Sequence, residues 1–389
     1  MAESDLGTCR PAAWPNTAPI RARLDDDRTI VVDYADDTRR LHATWARDCC
    51  SCRECRIEQT TEYRYLLGRV DQPPEALTAG LCGADVVIEW SDGHHSLYSP
   101  ALLQEMVGQS RRRPLDRSTW TSADQLPLFG CDQVLSEPGA QLEFCDAFER
   151  LGAVRVSGMG SNGGESARFV EALGAPLREL PFDRIHDVHV DPAGYNVAHT
   201  AERVPPHNDF PSYAWPPSGQ ALHMLTNEAT GGDSIVVDGF HLLAELDAVD
   251  PATVDVLARV PVTFRQFAPD VETWARQPLV RRDWAGRVVG LRFSNQLMQP
   301  LHPEDPELDA FYDAYHRLAR AACDPANQAT FRLNDGEMVI VHGHRVLHAR
   351  TAFDATGARH LQDVYFEADD IFARGAMLRG DRPEGPVFP

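Results

Sequence analysis

Between residues 185 and 368 the chain is cut into short runs rich in β-branched and aromatic residues, separated by turn formers. The runs are "IHDVHV" (185–190), "GYNVAHT" (194–200), "GQALHML" (219–225), "SIVVDG" (234–239), "VPVTFRQF" (260–267), "RVVGLRF" (287–293), "EMVIVHG" (337–343) and "HLQDVYFEA" (360–368). Each has the length of a strand and is short for a helix. Helical spacing interrupts the series at about 240–258 and 306–322. Many short strands with few helices bury their apolar faces best as two packed sheets. The predicted fold is therefore mainly β with flanking helices, a jelly roll (double-stranded β-helix) of the cupin kind.

Upstream, "GAQLEFCDAFERLG" (139–152) has apolar residues at helical spacing and stops on Gly152. "AVRVSGM" then predicts a strand and "SARFVEALG" a helix. Nearer the start, "RTIVVDY" (28–34), "ADVVIEW" (84–90) and "HSLYS" (95–99) predict a separate small β domain. Residues 105–130 lose periodicity and hold proline, glycine, serine and a basic run. The expected organisation is an N-terminal β domain over 1–110, a connection over 111–130 and the jelly roll over 131–389.

Composition removes several functions. The formal net charge is −21, from 37 basic and 58 acidic residues. That argues against a general binder of nucleic acid or of anionic membranes, both of which need a positive surface. No apolar run approaches the roughly 18 residues of a membrane helix. The first residues, "MAESDLGTCRPAAWP", lack the apolar stretch of a signal peptide, so a cytoplasmic protein is expected. Every one of the 37 basic residues is arginine. Schiff-base chemistry and a P-loop lysine are thus excluded.

Four of the nine cysteines fall in "CCSCREC" (49–55). In a reducing compartment such a cluster points to metal rather than to disulfides. Cys50, Cys52 and Cys55 would suit a tetrahedral zinc lacking one ligand. A different donor set begins in "VPPHNDFP" (204–211). On an extended segment His207 and Asp209, two residues apart, share one side and could reach one ion. A two-histidine, one-carboxylate iron site needs a second histidine and keeps positions open for substrate and oxygen. "MVIVHGHRVLHART" offers His342, His344 and His348. Arg359 follows His348 by eleven residues, and an arginine fork suits the far carboxylate of a dicarboxylic co-substrate.

Taken in order, "PPHNDFP", "TGGDSIVVDGF" (230–240), "RVLHART" (345–351) and "ARHLQDVYFEAD" (358–369) resemble the taurine dioxygenase-like Fe(II)/2-oxoglutarate oxygenases. Within these the chain most resembles gamma-butyrobetaine hydroxylase and its relatives, and the likeness extends to the N-terminal cysteine segment. The resemblance implies that His207, Asp209 and His348 hold Fe(II). It implies that Arg359 binds 2-oxoglutarate with help from Thr230 or Ser234. His342 and His344 then fall outside the ligand position and are expected to be surface or neighbouring polar residues. In the N-terminal domain the resemblance places a zinc histidine after "WSDGHHS", at His94 with His95 as rival, completing a closed structural site with Cys50, Cys52 and Cys55. Cys49 has no counterpart.

The same resemblance implies a hydroxylase with succinate and CO2 as co-products, acting on a small-molecule substrate with O2. The carboxylate at Asp209 argues for hydroxylation or desaturation over halogenation. Substrate-binding positions carried over are Phe182, His186, Asn196, His199 and Tyr365. Where an aromatic cage for a trimethylammonium group is expected, His186 and His199 depart from it, because imidazole is a poorer partner for a cation than indole. An amine, amino acid, betaine or phosphonate-like metabolite is therefore expected. The alternatives are gamma-butyrobetaine itself, giving carnitine, and a non-catalytic zinc and cupin module that binds a metabolite. A homodimer is implied by the relatives alone.

Overall fold

A computed structural model of the chain describes residues 14–380, apart from 16, 27, 61, 107–115, 181–182, 192–193, 195 and 269–270. The chain divides into two compact units, residues 1–113 with 380–389 and residues 114–379.

The first unit holds two three-stranded antiparallel sheets. One is formed by Arg21–Asp26, Thr29–Asp33 and Thr38–His42, the other by Ala76–Cys82, Asp85–Trp90 and His95–Tyr98. Ile30, Val32, Val86, Ile88, Trp90 and Tyr98 pack between them. The expected strands at 28–34, 84–90 and 95–99 are the apolar members of these sheets. Their partners "RARLDD" and "TRRLH" are too charged to read as strands, because their outer faces meet water.

The second unit is the jelly roll. A six-stranded sheet runs Leu128–Gly130, Ala153–Ser157, Glu337–His342, Gly219–Asn227, Arg359–Phe366, His186–Val188. A four-stranded sheet runs Val204–His207, Val346–Arg350, Ser234–Asp238, Ala329–Phe331. Met224, Val339, Val341 and Leu361 of the first sheet meet Val236 and Val346 of the second. Ala221, Met338, Ile340, Val364 and Phe366 point the other way, under the helices Pro138–Leu151, Glu165–Ala172 and Ala368–Leu378. Ile235, Val237, Leu347 and Ala349 likewise face Gly239–Val249, Pro251–Arg259 and Leu308–Cys323. With both faces covered, strands such as "EMVIVH" are apolar throughout instead of alternating.

Two expectations change. The second half of the 111–130 stretch belongs to the jelly-roll unit, because Trp120 and Leu126 are buried in its core and Leu128–Gly130 pairs with Ala153–Ser157. Irregular backbone, with no period to read, still packs. The described residues of "GYNVAHT" form no strand but a single turn at Val197–His199, where the Asn196 side chain accepts from the Ala198 amide. Local capping there outcompetes strand pairing.

Candidate active site and metal centres

The two sheets part at one end around a cavity of about 300 Å³. The strand period decides what faces it. In the strand Arg359–Phe366, Leu361 points inward, so Arg359, Asp363 and Tyr365 do too, and all four line the cavity. On the opposite sheet Val346 points inward, and with it His348 and Arg350. His207 stands directly across from His348 in the antiparallel pair, with ring centroids 4.3 Å apart. Asp209 follows on the next turn. His207 Nε2 lies 3.3 Å from Asp209 Oδ1, and His348 Nε2 lies 3.6 Å from Asp209 Oδ2. Two ligands bonded at about 2.0–2.2 Å to one ion stand about 3 to 3.5 Å apart at right or tetrahedral angles, so the donor set fits a single metal. His207 Nδ1–H donates to the Pro205 carbonyl at 2.9 Å, which leaves the Nε2 lone pair free for the ion. Burial alone would raise the Asp209 carboxyl, but the His348 and His207 imidazoles and the Tyr365 hydroxyl hold it well below the usual carboxylate range. It is therefore ionised, as a ligand must be.

The turn that carries Asp209 is held by Asn208, a residue the sequence analysis passed over. Its buried amide donates to the carbonyls of Gly343 (2.8 Å) and Val346 (3.1 Å), and its oxygen accepts from the Phe293 amide (2.8 Å). Phe210, next in line, has φ of 52°, a left-handed conformation rare for a bulky residue, and its ring meets Tyr365 edge-on at 5.0 Å.

Arg359 is 8% exposed with no carboxylate partner; Nη2 donates weakly to Gly232 O at 3.4 Å, and the Nε hydrogen has no acceptor among the described residues. Burial pushes this guanidinium down to about 10, with Arg350 adding to the effect. A buried, under-satisfied guanidinium is a receptor for a carboxylate. Ser234 lines the cavity and Thr230 does not, because Thr230 is exposed on a two-residue strand paired with Asp354.

Of the substrate positions, His186, Asn196 and Tyr365 line the cavity, and Phe182 lies outside the described residues. His199 is buried behind His186, ring centroids 5.7 Å apart, and does not reach the cavity. His186 Nδ1 is 3.1 Å from Asp363. Asp363 was also missed, although the alternation from Arg359 points to it. His342 and His344 stay outside the cavity, and both are partly buried. His342 stacks on Phe372 at 5.8 Å, where burial drives it down to about 3, and His344 Nε2 pairs with Pro216 O at 2.9 Å.

In the first unit His94 Nε2 lies 3.3, 3.5 and 3.5 Å from the sulfurs of Cys50, Cys52 and Cys55. Zinc bonded at about 2.3 Å to sulfur and about 2.0–2.1 Å to nitrogen separates them by about 3.5 Å at the tetrahedral angle. His94 Nδ1 meets Glu54 at 3.1 Å, and the Arg47 guanidinium donates to Cys55 Sγ at 3.2 Å. These outer contacts fix the ring and favour the thiolate. The rival His95 is exposed beside Glu89, and Cys49 stands outside the donor set.

Comparison with known proteins supports the same two-part organisation. The family model of the taurine catabolism dioxygenase TauD, TfdA family matches residues 118–365, and that of the gamma-butyrobetaine hydroxylase-like N-terminal region matches residues 22–104. Gamma-butyrobetaine dioxygenase of Pseudomonas sp. (strain AK-1) is 30% identical over 377 residues, covering 94% of this chain and 98% of its own. The gamma-butyrobetaine dioxygenase of Pongo abelii is 26% identical, covering 92% and 96%. A solved structure of asparagine oxygenase with Fe(II), 2S,3S-3-hydroxyasparagine and succinate aligns at 18% identity and a TM-score of 0.46, over 61% of this chain and 89% of that one.

Proposed function

Because the chain belongs to the taurine catabolism dioxygenase TauD, TfdA family, we propose that its jelly-roll cavity is the active site in which His207, Asp209 and His348 hold Fe(II). The protein is a dioxygenase that uses Fe(II) and 2-oxoglutarate to hydroxylate an unactivated C–H bond of a small polar metabolite. The convergence of those three donors on one point, in the cavity that Arg359 also lines, carries the assignment.

Arg359 binds the far carboxylate of 2-oxoglutarate, with Ser234 beside it. His207, locked by Pro205, and the ionised Asp209 present their lone pairs without rearrangement. When bound, iron and 2-oxoglutarate activate O2 and release succinate and CO2, and the oxidising power goes to the substrate. The chain's part is to aim one C–H bond and exclude water. Val188, Leu222, Leu361 and Phe210 supply the apolar walls, while His186, Asn196 and Gln266 supply polar contacts for the substrate head. In the first unit Cys50, Cys52, Cys55 and His94 hold a structural zinc.

The second candidate substrate is gamma-butyrobetaine, giving carnitine, favoured by the 30% identity to the Pseudomonas enzyme. Succinate formation from 2-oxoglutarate should be measured across gamma-butyrobetaine, primary amines, amino acids, taurine and phosphonates. Stimulation by gamma-butyrobetaine above all others selects the carnitine reaction. Stimulation by a primary amine or amino acid instead selects the broader reading. No 2-oxoglutarate turnover with iron under any condition overturns the assignment.

A further inference from the structure

The Asp209 carboxylate is not symmetric in its surroundings. Oδ2 accepts from Gln220 Nε2 at 2.8 Å and from the Tyr365 hydroxyl at 2.7 Å. Two donor groups therefore face that oxygen. Oδ1 lies 3.3 Å from His207 Nε2, while His348 Nε2 stands 3.6 Å from Oδ2, outside hydrogen-bond reach.

Gln220 and Tyr365 do not contribute equally. The Tyr365 hydroxyl also lies 2.8 Å from Asp363 Oδ2, so its single hydrogen serves one carboxylate at a time. Gln220 Nε2 carries two hydrogens and is 3.2 Å from Asp363 Oδ2 as well as 2.8 Å from Asp209, so it serves both at once. A flipped amide would set Oε1 against two carboxylates, which fixes the orientation. Gln220 is 3% exposed and Asp363 is 4% exposed, so neither is satisfied by bulk water. The register places Gln220 opposite Tyr365 on neighbouring strands, which brings the amide under the carboxylate.

On the reading that Asp209 is an iron ligand, we propose that Gln220 is a positioning residue that fills Oδ2 and leaves Oδ1 alone to bind the metal. Asp363, itself in contact with His186, holds the Gln220 amide in that orientation. With Oδ2 so held, the carboxylate would offer Oδ1 to the metal when it binds.

Two measurements test this on the full-length, zinc-loaded protein. A crystal structure of the Fe(II)-loaded wild type, grown without oxygen, should show Asp209 bound through Oδ1 only, with Oδ2 on Gln220. Anaerobic calorimetric titration with Fe(II) should show Gln220→Met weakening the metal by about 10- to 100-fold, with zinc content and circular dichroism unchanged. A bidentate Asp209, or one bound through Oδ2, overturns the positioning role and leaves the iron site standing, as does Gln220→Met binding Fe(II) like the wild type. Iron bound away from His207, Asp209 and His348 overturns both. Should Gln220→Met not fold, the wild-type structure decides.

Discussion

Asn208 sits between His207 and Asp209, the two proposed metal donors, and faces away from them. Its three backbone contacts hold the turn on which Asp209 projects, and they offset the left-handed Phe210 beside it, which costs of order 1–3 kcal/mol. At this scale the donors separate cleanly from their supports. Asp209→Ala should abolish 2-oxoglutarate-coupled turnover in protein whose circular dichroism shows it folded; coupled turnover at wild-type rate would refute the ligand role. Arg359→Met removes charge-assisted bonds worth about 1.5–3 kcal/mol. The KM for 2-oxoglutarate should therefore rise about 10- to 150-fold, and steady-state kinetics at varied 2-oxoglutarate measure it. An unaltered KM would mean the far carboxylate is held elsewhere.

The elements turn side chains into a site through the strand period and through buried ties between strand and helix. Gly219 opens the strand that carries Gln220, and a Cβ there would lie 2.4 Å from the Phe366 ring across the register. Gly219→Ala should cost about 1–3 kcal/mol, read from denaturant midpoints. Asp238 ends the strand Ser234–Asp238, caps the following helix through the Phe240 amide, and grips Arg345 at 2.9 and 2.7 Å with both groups buried. Asp238→Ala strands that guanidinium, so a loss of about 3–5 kcal/mol is expected. A loss under about 1 kcal/mol would show that the carbonyls of Ser118 and Arg150, which Arg345 also reaches, suffice to hold it.

On the scale of the whole molecule the two units rely on different sources of stability. The jelly roll has clusters of apolar residues on both faces of its sheets, whereas the first unit packs two small sheets around one cluster. Small domains commonly need a metal to make up the difference. Burial pushes the Cys55 thiol up to about 12, so a free thiol there stays protonated and a cation is needed to bind as thiolate. Cys52→Ser should lose the zinc and render residues 21–98 protease-sensitive. Elemental analysis and limited proteolysis check this, and a zinc-free, protease-resistant unit would rule the structural role out.

The amino-acid sequence by itself pointed to the jelly-roll class, the candidate donors His207 and Asp209, the guanidinium at 359 and the cysteine cluster, because strand length, turn chemistry and ligand type are local properties. Tertiary structure alone decided which histidine completes each set, that Thr230 and His199 stay out of the cavity, and that Gln220, Asn208 and Asp363 support Asp209. Gln220 and Asp363 meet through the register between strands far apart in the chain, and one residue of slip would turn either side chain to the opposite face.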